Sequence, residues 1–166
     1  NFMNKIWNAT RFALGNLGDF QVPKEGIKAL PNQAHLSIFD QWIIKKLEGV
    51  EKAVEDSLEQ QRFSDAAGAM YAFVWYEFCD WYIEFTKPIM SGTNAEEKKT
   101  TQLVIAQCLN RIMRLLHPMI PFITEELYQK LPIKGTSCML DQYPNTRTDR
   151  EFLPFGSESA ALEIDL

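Results

Sequence analysis

From Asn1 to about Leu17, inward-type residues return at three- and four-residue steps: Met3, Ile6, Thr10, Ala13, Leu14 and Leu17. That is the period of an amphipathic helix. Gly18 and Asp19 stop it. A connector of about 18 residues follows, with the turn formers Pro23, Gly26, Pro31 and Asn32. The helical pattern is already running at Phe2, with neither an initiator Met nor a capping residue before it, so the expectation is a piece of a longer polypeptide.

Ser37 with Asp40 three positions on has the form of a capping box. Phe39, Trp42, Ile43, Leu47, Val50, Val54 and Leu58 then hold a helical period to about Gln60. Ser64 can cap a third helix that runs to Lys87 and ends at Pro88. From Ala66 to Phe85 this helix is apolar on nearly every side, which predicts that it is the central, most buried one. After the loop Ser91 to Asn94, a fourth helix spans about Ala95 to Leu116, with Ile105, Leu109, Ile112 and Leu116 facing inward and packing on the third. Pro121 can open a short fifth helix through Phe122, Ile123, Leu127 and Leu131. The stretch 133–166 reads as an extended tail, with a helical turn near 160–162. The fold class expected is all-α: a bundle of four long helices plus a short fifth over residues 1–132, with the irregular tail 133–166 belonging to the same domain.

Composition narrows the picture. With 166 residues, 46% of them hydrophobic, the chain can bury one core, and one domain is expected. A formal charge of −5 argues against broad electrostatic attraction to nucleic acid, so any such role has to be local. Cys79, Cys108 and Cys138 are widely spaced, form no CxxC pair, and read as reduced thiols of a cytoplasmic protein. No apolar run approaches a membrane span, and no leader resembles a signal peptide. The four tryptophans, Trp7, Trp42, Trp75 and Trp81, fall at or beside inward positions and read as core.

Candidate chemistry is sparse. Projected as a helix, the first segment puts Met3, Ile6, Trp7, Thr10, Ala13, Leu14 and Leu17 on one side and Asn1, Lys5, Asn8, Phe12 and Asn16 on the other. A ring on a polar face, near an amide and an ammonium, has the parts to hold a single-stranded base: stacking on Phe12, edge reading by Asn8, and a contact from Lys5 to phosphate or a base acceptor. The competing reading is that Phe12 packs under the connector. Glu77, Asp80 and Glu84 recur with Lys87 as one stripe of the third helix; with no histidine nearby, a solvated strip fits better than a metal or acid-base site. The two histidines, His35 and His117, give little material for a metal centre or triad, and His117 before Pro118 reads as structural. No phosphate-binding glycine loop is present, so the chain carries no independent active site, bound cofactor or metal as expectations.

Three segments bear a family resemblance, in order. Asn4-Lys5-Ile6-Trp7-Asn8-Ala9-Thr10-Arg11-Phe12 is similar to the NKLWNA-RF signature of valyl-tRNA synthetases. Trp75-Tyr76-Glu77-Phe78-Cys79-Asp80-Trp81-Tyr82-Ile83-Glu84 resembles their W-EFCDWYIE segment. The run Leu115 to Leu127 resembles the LLHP-xPF-TEELW element shared by valyl, isoleucyl and leucyl enzymes. Gly15 to Phe20 departs toward the isoleucyl form. The resemblance covers Asn1 to about Leu131 and implies the anticodon-binding domain of a class Ia aminoacyl-tRNA synthetase, a helical bundle that follows the catalytic domain of the same polypeptide. It implies a tRNA(Val) anticodon stem-loop as partner, no membrane, and a monomer. The family's anticodon-reading Lys, Asn and Phe fall on Lys5, Asn8 and Phe12, the residues that the projection isolates. ATP and Mg²⁺ would serve the parent ligase upstream, since the HIGH and KMSKS elements are absent here. The alternatives are a structural bundle that only docks on a catalytic domain, and the equivalent isoleucyl domain.

Overall fold

The computed structural model describes residues 2–18, 20 and 36–145; Asn1, most of the connector with His35, and the tail beyond 145 with its expected turn lie outside the described residues. Within them every regular element is helical. Helix α1 is Phe2–Leu17 and α2 is Ile38–Glu59; α3 passes through Phe63–Ala72, Phe73–Tyr82 and Ile83–Ser91; α4 is Ala95–Leu116 and α5 is Pro121–Tyr128.

The capping box at Ser37 and Asp40 is present as expected, but the Asp40 side chain does more than cap. It is fully buried, and its carboxylate accepts from the Ser37 N–H (3.1 Å), Ser37 Oγ (2.7 Å), Tyr82 OH (2.6 Å) and Thr101 Oγ1 (2.8 Å). A buried polar group is tolerated when its hydrogen-bonding atoms find partners in this way. The start of α2 is thereby tied to α3 and α4.

Pairs of touching residues fix the helix directions. Phe2 meets Tyr71, Lys5 meets Asp80 and Phe12 meets Lys87, so α1 and α3 run the same way. Asp40 to Thr101 and Glu51 to Arg111 align α2 with α4. Phe39 stacked on Phe85 and Lys46 bonded to Glu77 make α2 and α3 antiparallel. The result is an up-down-up-down bundle, with α5 capping the far end of α4.

Four expectations change. Helix α3 opens at Phe63 rather than at a Ser64 cap, and Arg62 precedes it without a side-chain capping bond. It also continues through Pro88 to Ser91, because a proline near the end removes one N–H and Ser91 Oγ closes the last turn on Lys87 O (3.0 Å) and Pro88 O (3.2 Å). Its middle, Phe73–Tyr82, is π-helical, a wider winding that periodicity does not signal. The most buried helix is α4, not α3. Residues 100–113 of α4 are buried without a break, polar Thr100, Thr101, Gln102, Gln107, Asn110 and Arg111 among them, while α3 exposes Tyr71, Tyr76 and Trp81. Helix α4 is covered by α1, α2, α3 and α5, whereas α3 lies at the edge with an aromatic outer side.

The tryptophans follow the same correction: Trp7 and Trp81 are exposed, and Trp42 and Trp75 are only partly covered. Helix α5 stops at Tyr128, three residues before the expected Leu131, and its Phe122 is 91% exposed. The described part of the tail has no helix or strand, as expected, and folds back: Arg114 Nη1 donates to Gln142 O (2.8 Å), Tyr143 OH to Leu115 O (3.2 Å) and Asn110 Nδ2 to Ile133 O (2.9 Å).

Candidate nucleic-acid interface

Helix α1 is seated on Ile6, Ala9, Thr10, Ala13 and Leu17. The seam is rotated from the projected one, toward Ala9: Met3 and Trp7, projected inward, are exposed, and Leu14 is partly covered. Small residues at 9, 10 and 13 let the backbone sit close in the groove between α3 and α4, which turns the bulkier side chains outward. The stripe Lys5, Asn8, Phe12 therefore does not lie opposite the core. It runs along the junction of α1 with α3.

Each of the three has its own setting. The Lys5 ammonium pairs with the Asp80 carboxylate and stands 4.0 Å from the centre of the Trp75 ring. Trp75 stacks on Tyr71 (5.5 Å between centroids, 17° between planes), and Tyr71 leans on Phe2 at 5.2 Å. Asn8 is exposed, with its amide open to a partner. Phe12 is not a lone ring on a polar face: one side packs against the core, and the Lys87 ammonium lies 5.6 Å from its centroid. Its contact with the connector falls outside the described residues. Lys87 is in turn held by Glu84 Oε1 at 2.6 Å.

The acidic stripe of α3 is thus not a cluster of like charges. Glu77 pairs with Lys46 of α2 (3.2 Å), Asp80 with Lys5 of α1, and Glu84 with Lys87 of its own helix. It is a partly accessible strip tied to lysines, where the sequence suggests a solvated one, and such exposed pairs add little stability. What the sequence does not supply is that Trp75, Asp80 and Lys87 border the α1 stripe. Lys5 to Phe12 and Asp80 to Lys87 are both seven-residue steps, but matching them requires knowing that the helices are parallel neighbours.

Cys79 lies beneath the Lys5–Asp80 pair, and burial pushes its thiol up to about 12, partly opposed by Lys5. Cys108 and Cys138 are likewise pushed up to about 12 by burial, so all three are protonated at neutral pH, and all three are free cysteines. The described residues with metal-ligand proximity are His117, Glu125 and Cys138, whose ligand atoms lie within 4.8 Å of one another. There, however, Glu125 accepts from Gln129 Nε2 (2.7 Å), Ser137 Oγ (3.1 Å) and the Cys138 N–H (3.0 Å), bonds that hold its pKa below the usual carboxylate range and dock the tail. His117 Nδ1 meets Thr124 Oγ1 at 2.9 Å, and Thr124 bonds the carbonyls of Ile120 and Pro121. His117 thus joins α4 to α5, a structural role as expected, through a side chain rather than by capping carbonyls. Among the described residues no helix is long and apolar enough to cross a membrane.

A family model described as the anticodon-binding domain of tRNA ligase matches residues 40–164. Over all 166 residues the chain is 71% identical to a valine–tRNA ligase of Bdellovibrio bacteriovorus, covering 19% of that protein. It is 40% identical over 144 residues to a valine–tRNA ligase of Lactiplantibacillus plantarum, 87% of this chain and 16% of that one. With a valine–tRNA ligase of Geobacter sulfurreducens it shares 41% over 168 residues, all of this chain and 18% of the relative. The chain therefore spans less than a fifth of the length of these relatives. The family match begins inside α2, and the α1 stripe precedes it.

Proposed function

Because the chain belongs to the family of anticodon-binding domains of tRNA ligases, we propose that it reads the anticodon stem-loop of tRNA(Val) through α1. The observation that carries this is the surface stripe Lys5, Asn8, Phe12 at the α1–α3 junction, with the Lys87 ammonium beside the ring. An unstacked base can lie on the open part of Phe12, Asn8 can offer donor and acceptor to a base edge, and Lys5 can donate to a base acceptor. With a formal charge of −5, long-range attraction is weak, and shape and base contacts carry the selectivity.

In this reading the chain acts as part of a monomeric cytoplasmic valine–tRNA ligase, whose remaining residues bind ATP and Mg²⁺ and perform aminoacylation. A second role, docking on that remainder, is supported by the exposure of Met119 and Phe122 at the start of α5 and of Met139 and Leu140 in the tail. The isoleucyl alternative loses ground, since the relatives above are valine–tRNA ligases.

The test is equilibrium binding to RNA stem-loops. A valine-anticodon loop should bind more tightly than one with a scrambled anticodon, and Phe12→Ala should weaken cognate binding by about 5- to 100-fold, the worth of one stacked base, without unfolding. Asn8→Ala should lower the preference for the cognate loop. Equal affinity for both loops in the unsubstituted chain would refute the proposal, and preference for an isoleucine anticodon would move it to the isoleucyl branch.

A further inference from the structure

Resting on the reading just given, the geometry points to a specific task for two residues outside the α1 stripe: we propose that Asp80 and Trp75 of α3 are positioning residues that take Lys5 out of phosphate binding and aim it at a base.

An unrestrained lysine on an RNA-facing surface behaves as a mobile point charge that serves any phosphate within reach. Lys5 is not unrestrained. Its ammonium is ion-paired to Asp80 and lies 4.0 Å from the Trp75 ring centre, so two groups from the neighbouring helix hold it from two sides. Trp75 is itself braced by Tyr71, which leans on Phe2, so the platform has a second layer. Lys5 is also the less exposed partner, with 23% of its side chain accessible against 45% for Asp80. The carboxylate cancels the charge that would attract phosphate and repels any phosphate that approaches. It does not use up the donors: an ammonium carries three N–H groups, more than one contact to Asp80 consumes. What is left is a directed donor of nearly neutral surroundings, one turn from Asn8, suited to a base acceptor and poorly suited to the backbone. Glu84 holds Lys87 through both carboxylate oxygens, but the nearest ring, Phe12, lies farther away at 5.6 Å, and 47% of the Lys87 side chain stays accessible.

Removing the carboxylate should therefore turn Lys5 from a reader into a phosphate binder. In the full chain, Asp80→Asn should bind a scrambled stem-loop more tightly and shrink the cognate-to-scrambled ratio by about fivefold or more, the worth of one base contact. The dependence of affinity on salt should steepen by about 0.7 to 0.9, one added phosphate. Asp80→Glu should keep both properties near those of the unsubstituted chain. Trp75→Leu should also lower the ratio, while Trp75→Phe, which keeps a ring, should retain most of it. Circular dichroism of each variant controls for folding, and both side chains are accessible enough for these changes to be accommodated. If the unsubstituted chain discriminates between the loops and Asp80→Asn leaves both ratio and salt slope unchanged, the inference is wrong while the anticodon reading stands. If the unsubstituted chain does not discriminate, both fall. A drop in affinity for both loops by the same factor in Asp80→Asn would also overturn it, because that is the mark of lost structure rather than lost selectivity.

Discussion

At Gln61 the backbone between α2 and α3 takes φ 58, the left-handed region, and among the described residues no other non-glycine residue does so. The Arg62 N–H bonds Ser57 O (2.7 Å) and the Gln61 N–H bonds Leu58 O (3.0 Å), the pattern that closes a helix with a left-handed residue after the cap. A side chain there costs about 1 kcal/mol that glycine avoids, so Gln61→Gly should raise stability by roughly 0.5–1 kcal/mol in urea denaturation, even after its extra chain entropy. No change or a loss would mean that this turn is not strained in solution. Residues whose partners are close in sequence are legible from sequence, as Ser37 and Asp40 are. Gln61 is not, because a polar residue in a polar turn carries no mark of its φ. Asp40 is legible only in part: its cap is local, while Tyr82 and Thr101 reach it from 42 and 61 residues away. The same holds at the candidate site, where the stripe Lys5, Asn8, Phe12 follows from helical period but Trp75, Asp80 and Lys87 enter only through the packing of α1 on α3.

Among the elements, α4 carries the buried polar contacts. Arg111 Nε donates to Glu51 Oε1 at 2.6 Å, its Nη2 reaches Glu51 Oε2, and both side chains are almost wholly inaccessible. Such a pair is costly to break because the partner is left charged and dry, so Glu51→Ala or Arg111→Ala should each destabilise by about 3–5 kcal/mol. The double replacement Glu51→Leu with Arg111→Met should cost much less than the sum of the singles, measured as a double-mutant cycle; additive losses would show that the pair is not coupled. Helix α4 also explains the main misreading of the elements. Hydropathy ranks α3 above it because α3 is apolar on nearly every side, yet α3 places Tyr71, Tyr76 and Trp81 on an outer surface, while α4 is enclosed and bonds Thr101, Gln102, Asn110 and Arg111 to other parts of the fold. Period and breakers locate helices well; which helix the others surround is decided by tertiary packing. Pro88 shows the limit of breakers too, since a proline one turn from a helix end is passed rather than obeyed.

For the molecule as a whole, the buried acids set an alkaline limit to stability. Burial pushes Cys108 from 9.0 to about 12 and Tyr82 well above its ordinary 10.0, with Asp40 adding to the shift of Tyr82. In both cases the folded state keeps a proton that the unfolded chain releases. The contribution is therefore full below about pH 9 and is lost as pH rises toward 12. Stability should fall from pH 9 upward, and Cys108→Ala should flatten that fall by up to about 1.4 kcal/mol per pH unit, one proton's worth, despite a lower stability at neutral pH. An unchanged slope would assign the loss to other groups. The reading of an anticodon by a stripe of α1 on this acidic bundle is put to the test by amide NMR of the ¹⁵N-labelled chain during titration with RNA stem-loops, which detects weak binding site by site. A valine-anticodon loop should shift the signals of Lys5, Asn8 and Phe12 and the facing turns of α3, and a scrambled loop at equal concentration should shift them little. Shifts confined to α5 and the tail, or identical shifts with both loops, would contradict it.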